Sequence, residues 1–140
     1  MRQTGTDHGL RVLDSSVWIE HLAGGSLADA CSPYLLPERS IVTPVQVLYE
    51  VYRWTLRHVG EQAAIEVVAH MEATRLAAAD VTTAVVAVQL GREHGLAAAD
   101  AVIYATARLH RCELVTADTD FRGLPGVTLL QDQDGVPDRV

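Results

Sequence analysis

Leu114-Val115-Thr116-Ala117-Asp118-Thr119-Asp120-Phe121 is a short apolar run that ends on two carboxylates one residue apart. Such a run reads as a buried parallel strand, and in open α/β sheets ligands gather outside the carboxyl ends of the strands. Asp118 and Asp120 then sit at that edge. Clustered carboxylates repel and raise one another's pKa unless a cation neutralises them. The placement of the other acids therefore decides what this edge is for.

Working outward, Arg11-Val12-Leu13-Asp14 reads as a first strand, followed by Ser15-Ser16 and a helix over 17–23 that Gly24-Gly25 stops. Taken alone, Asp14 or Ser15 is most simply a helix cap. A short helix is expected within 26–37, and Ser40-Ile41-Val42-Thr43 is a second strand. Thr43-Pro44 marks a helix start, with Thr as N-cap and Pro in the first turn. That helix is apolar over most of its surface, with a polar stripe of Gln46, Glu50, Arg53 and Arg57 at helical spacing. Periodicity alone makes Glu50 half of a solvated Glu50/Arg53 pair.

Further helices are expected over 61–74 and from Asp80 or Thr82 to His94, closed by Gly95, with a third strand at 76–79 between them. The stretch 97–109 is apolar nearly all round, which marks a buried helix. Asp100 stands in its first turn, where capping and neutralisation by a cation are equally good accounts. Residues 127–130 form a last, edge strand. Strands alternating with helices give an α/β fold, a three-layer α/β/α sandwich with a mostly parallel central sheet. The expectation is one domain over 1–140, with its core at 11–130 and tails at 1–9 and 131–140.

The 140 residues suffice for one core without staples. With 49% hydrophobic residues and a mean hydropathy of +0.12, disorder is excluded for most of the chain. No apolar run approaches the roughly 20 residues of a membrane span. The first seven residues are too polar for a signal peptide, so the expected location is the cytoplasm. Cys31 and Cys112, far apart and outside any C-x-x-C, read as small core residues. None of the six histidines has a metal-ligand spacing. The net charge of −7 argues against a nonspecific nucleic-acid coat, but not against a nuclease whose acids converge on cations.

Four short motifs occur in order: Leu13-Asp14-Ser15-Ser16, Tyr49-Glu50-Val51, Ala98-Ala99-Asp100-Ala101 and Thr116-Ala117-Asp118-Thr119-Asp120-Phe121. Each alone is weak. As an ordered set spanning about 11–130 they resemble the PIN-domain family, and specifically the VapC-type ribonuclease toxins of bacterial toxin-antitoxin pairs. The resemblance implies that Asp14, Glu50, Asp100 and Asp118 form a catalytic, metal-binding acidic site. It makes Asp120 an additional metal or supporting carboxylate, and Ser15 and Thr116 polar supports. It also implies a homodimer and a small antitoxin whose C-terminal segment blocks the acidic groove.

The residue types suit Mg²⁺, with Mn²⁺ as a substitute, because hard cations take carboxylate oxygens and water. Such ions activate water and steady a leaving oxygen in phosphodiester hydrolysis. Single-stranded or loop RNA is the expected substrate, since sequence-specific reading needs unstacked bases. Arg53, Arg57, Arg108 and Arg122 are candidate phosphate contacts. A haloacid-dehalogenase-like phosphatase wants a second Asp where Ser16 stands, and a receiver domain wants a lysine in a chain that has none. A catalytically silent module of the same fold, binding RNA or its antitoxin, is the alternative.

Overall fold

A computed structural model describes residues 9–131. In chain order the elements are β1 (Arg11–Leu13), α1 (Ser15–Ala23), α2 (Ala28–Cys31), β2 (Ile41–Pro44), α3 (Val45–His58), α4 (Glu61–Glu72), β3 (Arg75–Ala77), α5 (Val81–His94), α6 (Ala98–Leu109), β4 (Glu113–Thr116) and β5 (Val127–Leu129). Short 3₁₀ turns cover Ser32–Leu35, Glu38–Ser40 and Thr119–Phe121. The tails expected at the two ends lie, apart from Gly9 and Gln131, outside the described residues.

The sheet has the order β3-β2-β1-β4-β5, and every neighbouring pair is parallel. From β1 the chain steps outward through β2 to β3, then returns to the other side for β4 and β5. Right-handed crossovers put α1 to α4 on one face and α5 and α6 on the other. The reversal lies between β1 and β4, where a crevice opens beyond the strand ends. Asp14 follows one of these strands and Asp118 the other.

The core is what the apolar runs require. Val12, Leu13, Ile41, Val42, Leu114 and Val115 fill the sheet interior, with Trp18 and Ile103 from α1 and α6 packed on them. Trp18 is thus a packing residue, and Cys31 and Cys112 are buried as expected. The α1 helix ends at Gly24 and α5 at Gly95, both left-handed (φ 64° and 72°), a conformation glycine adopts without a Cβ penalty. At its start α5 has a full capping box, Asp80 accepting from the Thr83 backbone N–H.

Three local expectations are revised. Pro44 closes β2 and is itself the N-cap residue of α3, because the Thr43 hydroxyl is used elsewhere, 2.6 Å from that of Thr74. The third strand lies at Arg75–Ala77, one register earlier than the alanine run suggested, where it pairs with β2. Finally, α3 buries only one ridge, Val47, Val51 and Thr55; Val45, Tyr49, Tyr52 and Leu56 are exposed.

Arg11 has no signal in the sequence as a structural centre. Its side chain is fully buried and donates to the carbonyls of Gly9, Tyr34 and Leu36, fastening the segment after α2 to the base of β1.

Candidate active site

Asp14 stands at the N-cap position of α1 but makes no side-chain cap bond. Its carboxylate Oδ2 instead accepts the hydroxyls of Ser16 and Thr116, each at 2.8 Å. The two hydroxyls are oriented by what they accept. The Ala117 N–H donates to Ser16 Oγ and the Asp118 N–H donates to Thr116 Oγ1, both at 2.9 Å. Each hydroxyl proton is left for Asp14, so the ends of β1 and β4 are joined through one carboxylate. Burial pushes the Asp14 carboxyl above its ordinary value; the hydroxyls of Ser16 and Thr116 and the Ser15 backbone N–H draw it back, and Glu50 adds to the rise.

Ser16, rather than the expected Ser15, is the side-chain support; Ser15 contributes through its backbone. The available signal is position: two residues into a helix, a side chain points back over the turn before it.

Asp100 lies in the first turn of α6, where Ala97 holds the N-cap position without a capping side chain. Among the described residues no hydrogen bond reaches its carboxylate. Burial, then the charges of Asp14, Asp118, Asp120 and Glu50, push the Asp100 carboxyl up to about 6. Asp118 accepts the Asp120 backbone N–H through Oδ1 at 2.9 Å, which turns the chain after β4 and brings the Asp120 side chain round beside it.

One carboxylate oxygen each from Asp100, Asp118 and Asp120 lie within 4.8 Å of one another. Asp14 and Glu50 fall outside that group, although both act on Asp100 electrostatically. Glu50 accepts a bond from Gln46 at 3.1 Å. Among the described residues no ion pair joins it to Arg53. The fold therefore gathers five acids and, among the described residues, gives none of them an arginine within ion-pair distance. An all-oxygen, anionic donor set suits a hard divalent cation, and Asp100, Asp118 and Asp120 would hold it. No thiol nucleophile competes for the role, since burial pushes Cys31 and Cys112 up to about 11.

The family model for the PIN domain matches residues 11–127. The chain belongs to the PIN domain family. As a PIN domain it is similar to a chain of a toxin-antitoxin complex from Klebsiella pneumoniae, with 28% identity and a TM-score of 0.72, covering 84% of this chain and 95% of that one. It is similar in fold to Mycobacterium tuberculosis VapC20, described as a sarcin-ricin loop cleaving toxin, with 20% identity, a TM-score of 0.70, and 86% and 99% of the two chains covered. A DNA-bound VapBC from Salmonella typhimurium aligns at 14% identity and a TM-score of 0.64, covering 86% and 96%. No curated protein sequence matches the chain. Among the described residues no helix is long and apolar enough to cross a membrane.

Proposed function

We propose that this PIN domain is a VapC-type toxin, a metal-dependent endoribonuclease of the cytoplasm that hydrolyses RNA phosphodiester bonds and is neutralised by a cognate antitoxin. The observation that carries the reading is the convergence of Asp100, Asp118 and Asp120, with Asp100 half-buried, unbonded and pushed up to about 6. Likeness to a toxin-antitoxin complex at 28% identity supports the biological role.

In this reading Asp100, Asp118 and Asp120 bind Mg²⁺, or Mn²⁺ in its place, with Asp14 and Glu50 adding negative charge. The cation, when bound, supplies charge neutralisation at the scissile phosphate and a more acidic water. Thr116 and Ser16 hold the Asp14 carboxylate at a fixed position. Hydrolysis by water leaves 5′-phosphate and 3′-hydroxyl ends on single-stranded or loop RNA.

Two surfaces support the partners. On α5, Val81, Val85 and Val88 form an exposed apolar stripe, Val81 at 80% and Val88 at 62% exposure, suited to a homodimer. Leu48, Tyr52, Ile65, Val68 and Ala69 line an apolar groove of about 430 Å³ along α3 and α4, suited to an antitoxin helix.

The test is incubation of total cellular RNA with antitoxin-free protein and Mg²⁺ or Mn²⁺, beside Asp100→Asn and an EDTA control. Discrete fragments from the wild type alone are expected. A folded wild type as inert as the variant would replace this reading with a silent binding module.

A further inference from the structure

Two grooves flank α3, and their chemistry differs. The one toward α4 is apolar. The other, of about 220 Å³, is closed on one side by Ile19 of α1 and lined on α3 by two adjacent helical rows. Tyr49, Arg53 and Arg57 form one row; Glu50, Trp54 and His58 form the other.

Arg53 and Arg57 are exposed, and among the described residues neither has a carboxylate partner. Tyr49 is 58% exposed, so among the described residues much of its ring is open to a stacking partner. The His58 ring stacks on Trp54 at 4.8 Å between centroids and 19° between planes, and the Trp54 carbonyl lies 3.0 Å from its Nδ1. This is a fixed aromatic platform, with guanidinium groups one helical turn apart beside it. Arginine with interleaved aromatics is the combination that holds single strands, the cations tracking phosphates and the rings stacking bases. Glu50 lines the same groove and acts electrostatically on Asp14 and Asp100, so the strip leads to the acidic cluster.

We propose that this α3 strip is the substrate track, with backbone phosphates of single-stranded RNA on Arg53 and Arg57 and bases stacked on Tyr49 and the His58–Trp54 platform. The assignment rests on the nuclease reading for its substrate class. The strip is a positioning surface: it seats the strand so that a neighbouring phosphodiester reaches the carboxylates. An antitoxin segment, being a protein helix, is better matched to the apolar groove on the other flank of α3.

The test uses antitoxin-free Asp100→Asn protein, so that cutting does not disturb the signal, titrated into a fluorescein-labelled single-stranded RNA of mixed sequence. Adding Arg53→Gln and Arg57→Gln together is expected to weaken binding at least tenfold. It should also lower the slope of log Kd against log salt by about 1.4, roughly 0.7 for each phosphate of a single strand that is no longer neutralised. Tyr49→Ala is expected to weaken binding roughly tenfold with the slope unchanged, since stacking is not ionic. Arg92→Gln on α5 removes a charge outside the strip and serves as the control for net charge. Thermal melts check that each variant is folded.

The proposal is overturned if the double arginine variant keeps the parent's affinity and slope, or loses no more than the Arg92 control. It is equally overturned if that variant holds RNA normally and fails only to bind a co-expressed antitoxin, which would make the strip a protein-docking surface. Cleavage separates this proposal from the one it rests on. Wild type that cuts RNA while the strip variants bind normally leaves the nuclease standing and removes the track. Wild type that binds RNA through the strip and never cuts keeps the track and removes the nuclease.

Discussion

The Thr116 hydroxyl donates to the Asp14 carboxylate at 2.8 Å, across 102 positions of chain. Both residues are buried, Asp14 at 4% exposure. The bond is the seam of the site, because Thr116 also accepts the N–H of Asp118 and so fixes where the second strand end begins.

Thr116→Val keeps the shape and removes both roles. It takes one of the two hydroxyl donors from Asp14 Oδ2 and leaves the N–H of Asp118 without its acceptor, and an unsatisfied buried group costs about 1–3 kcal/mol. Urea denaturation should show a loss in that range, together with slower RNA cleavage, and Thr116→Ser should restore both. A Val variant as stable and active as wild type would remove the seam from the account.

Metal-free stability should fall as pH rises through the titration of Asp100. Its carboxyl sits at about 6 in the folded chain against an ordinary 3.8, so the folded state binds its proton more tightly than the unfolded state does. The stabilisation from that proton is complete below about 4 and is lost between about 4 and about 6. In EDTA the melting temperature should therefore be higher at pH 5 than at pH 7. Asp100→Asn should melt higher than wild type at pH 7, by roughly 3–5 °C, what about 1 kcal/mol produces in a chain of this size after solvent screening. The variant should also retain some pH dependence, because burial raises Asp14 as well.

Divalent cations should reverse that penalty. Adding Mg²⁺ or Mn²⁺ at 100 times its dissociation constant adds about 2.7 kcal/mol to a folded state that binds one ion. A thermal melt of wild type should shift upward, and that of an Asp100→Asn, Asp118→Asn double variant should not. Equal shifts in the two proteins would place the ion elsewhere.

Arg11→Leu should be among the most damaging single changes away from the acids. Three carbonyls, of Gly9, Tyr34 and Leu36, lose a donor whose own side chain is fully buried. Hydrogen bonds to a charged group are worth about 1.5–3 kcal/mol each, so a loss of at least about 3 kcal/mol is expected in chemical denaturation.

The fold was legible because its strands are continuous apolar runs and its helices have strong stop signals at Gly24 and Gly95. The acids were legible only as an ordered set: taken alone, Asp14 reads first as a cap, and Asp100 as much like a cap as a ligand. What removes the capping account is the absence of a side-chain cap bond at either helix start, a three-dimensional fact. Glu50 is the same case, its arginine neighbour one turn away in sequence and not paired with it in space. Arg11 escaped because its partners at Tyr34 and Leu36 lie far along the chain, where no local period reaches; Ser16 was within local reach, its partner Asp14 standing two residues back. The exposed apolar side of α3 misled for a related reason: an apolar residue in a helix says that something covers it, and not that its own chain does.

The strand order has a consequence for how such a protein is made. Synthesis proceeds from the N-terminus at roughly 5–20 residues per second, so Asp14 leaves the ribosome several seconds or more before Thr116 and Asp118 exist. Until β4 arrives, one edge of β1 is open and the Asp14 carboxylate lacks one of its two hydroxyls. A growing chain thus holds two of the five acids early and the other three late, and an interrupted one never completes the set.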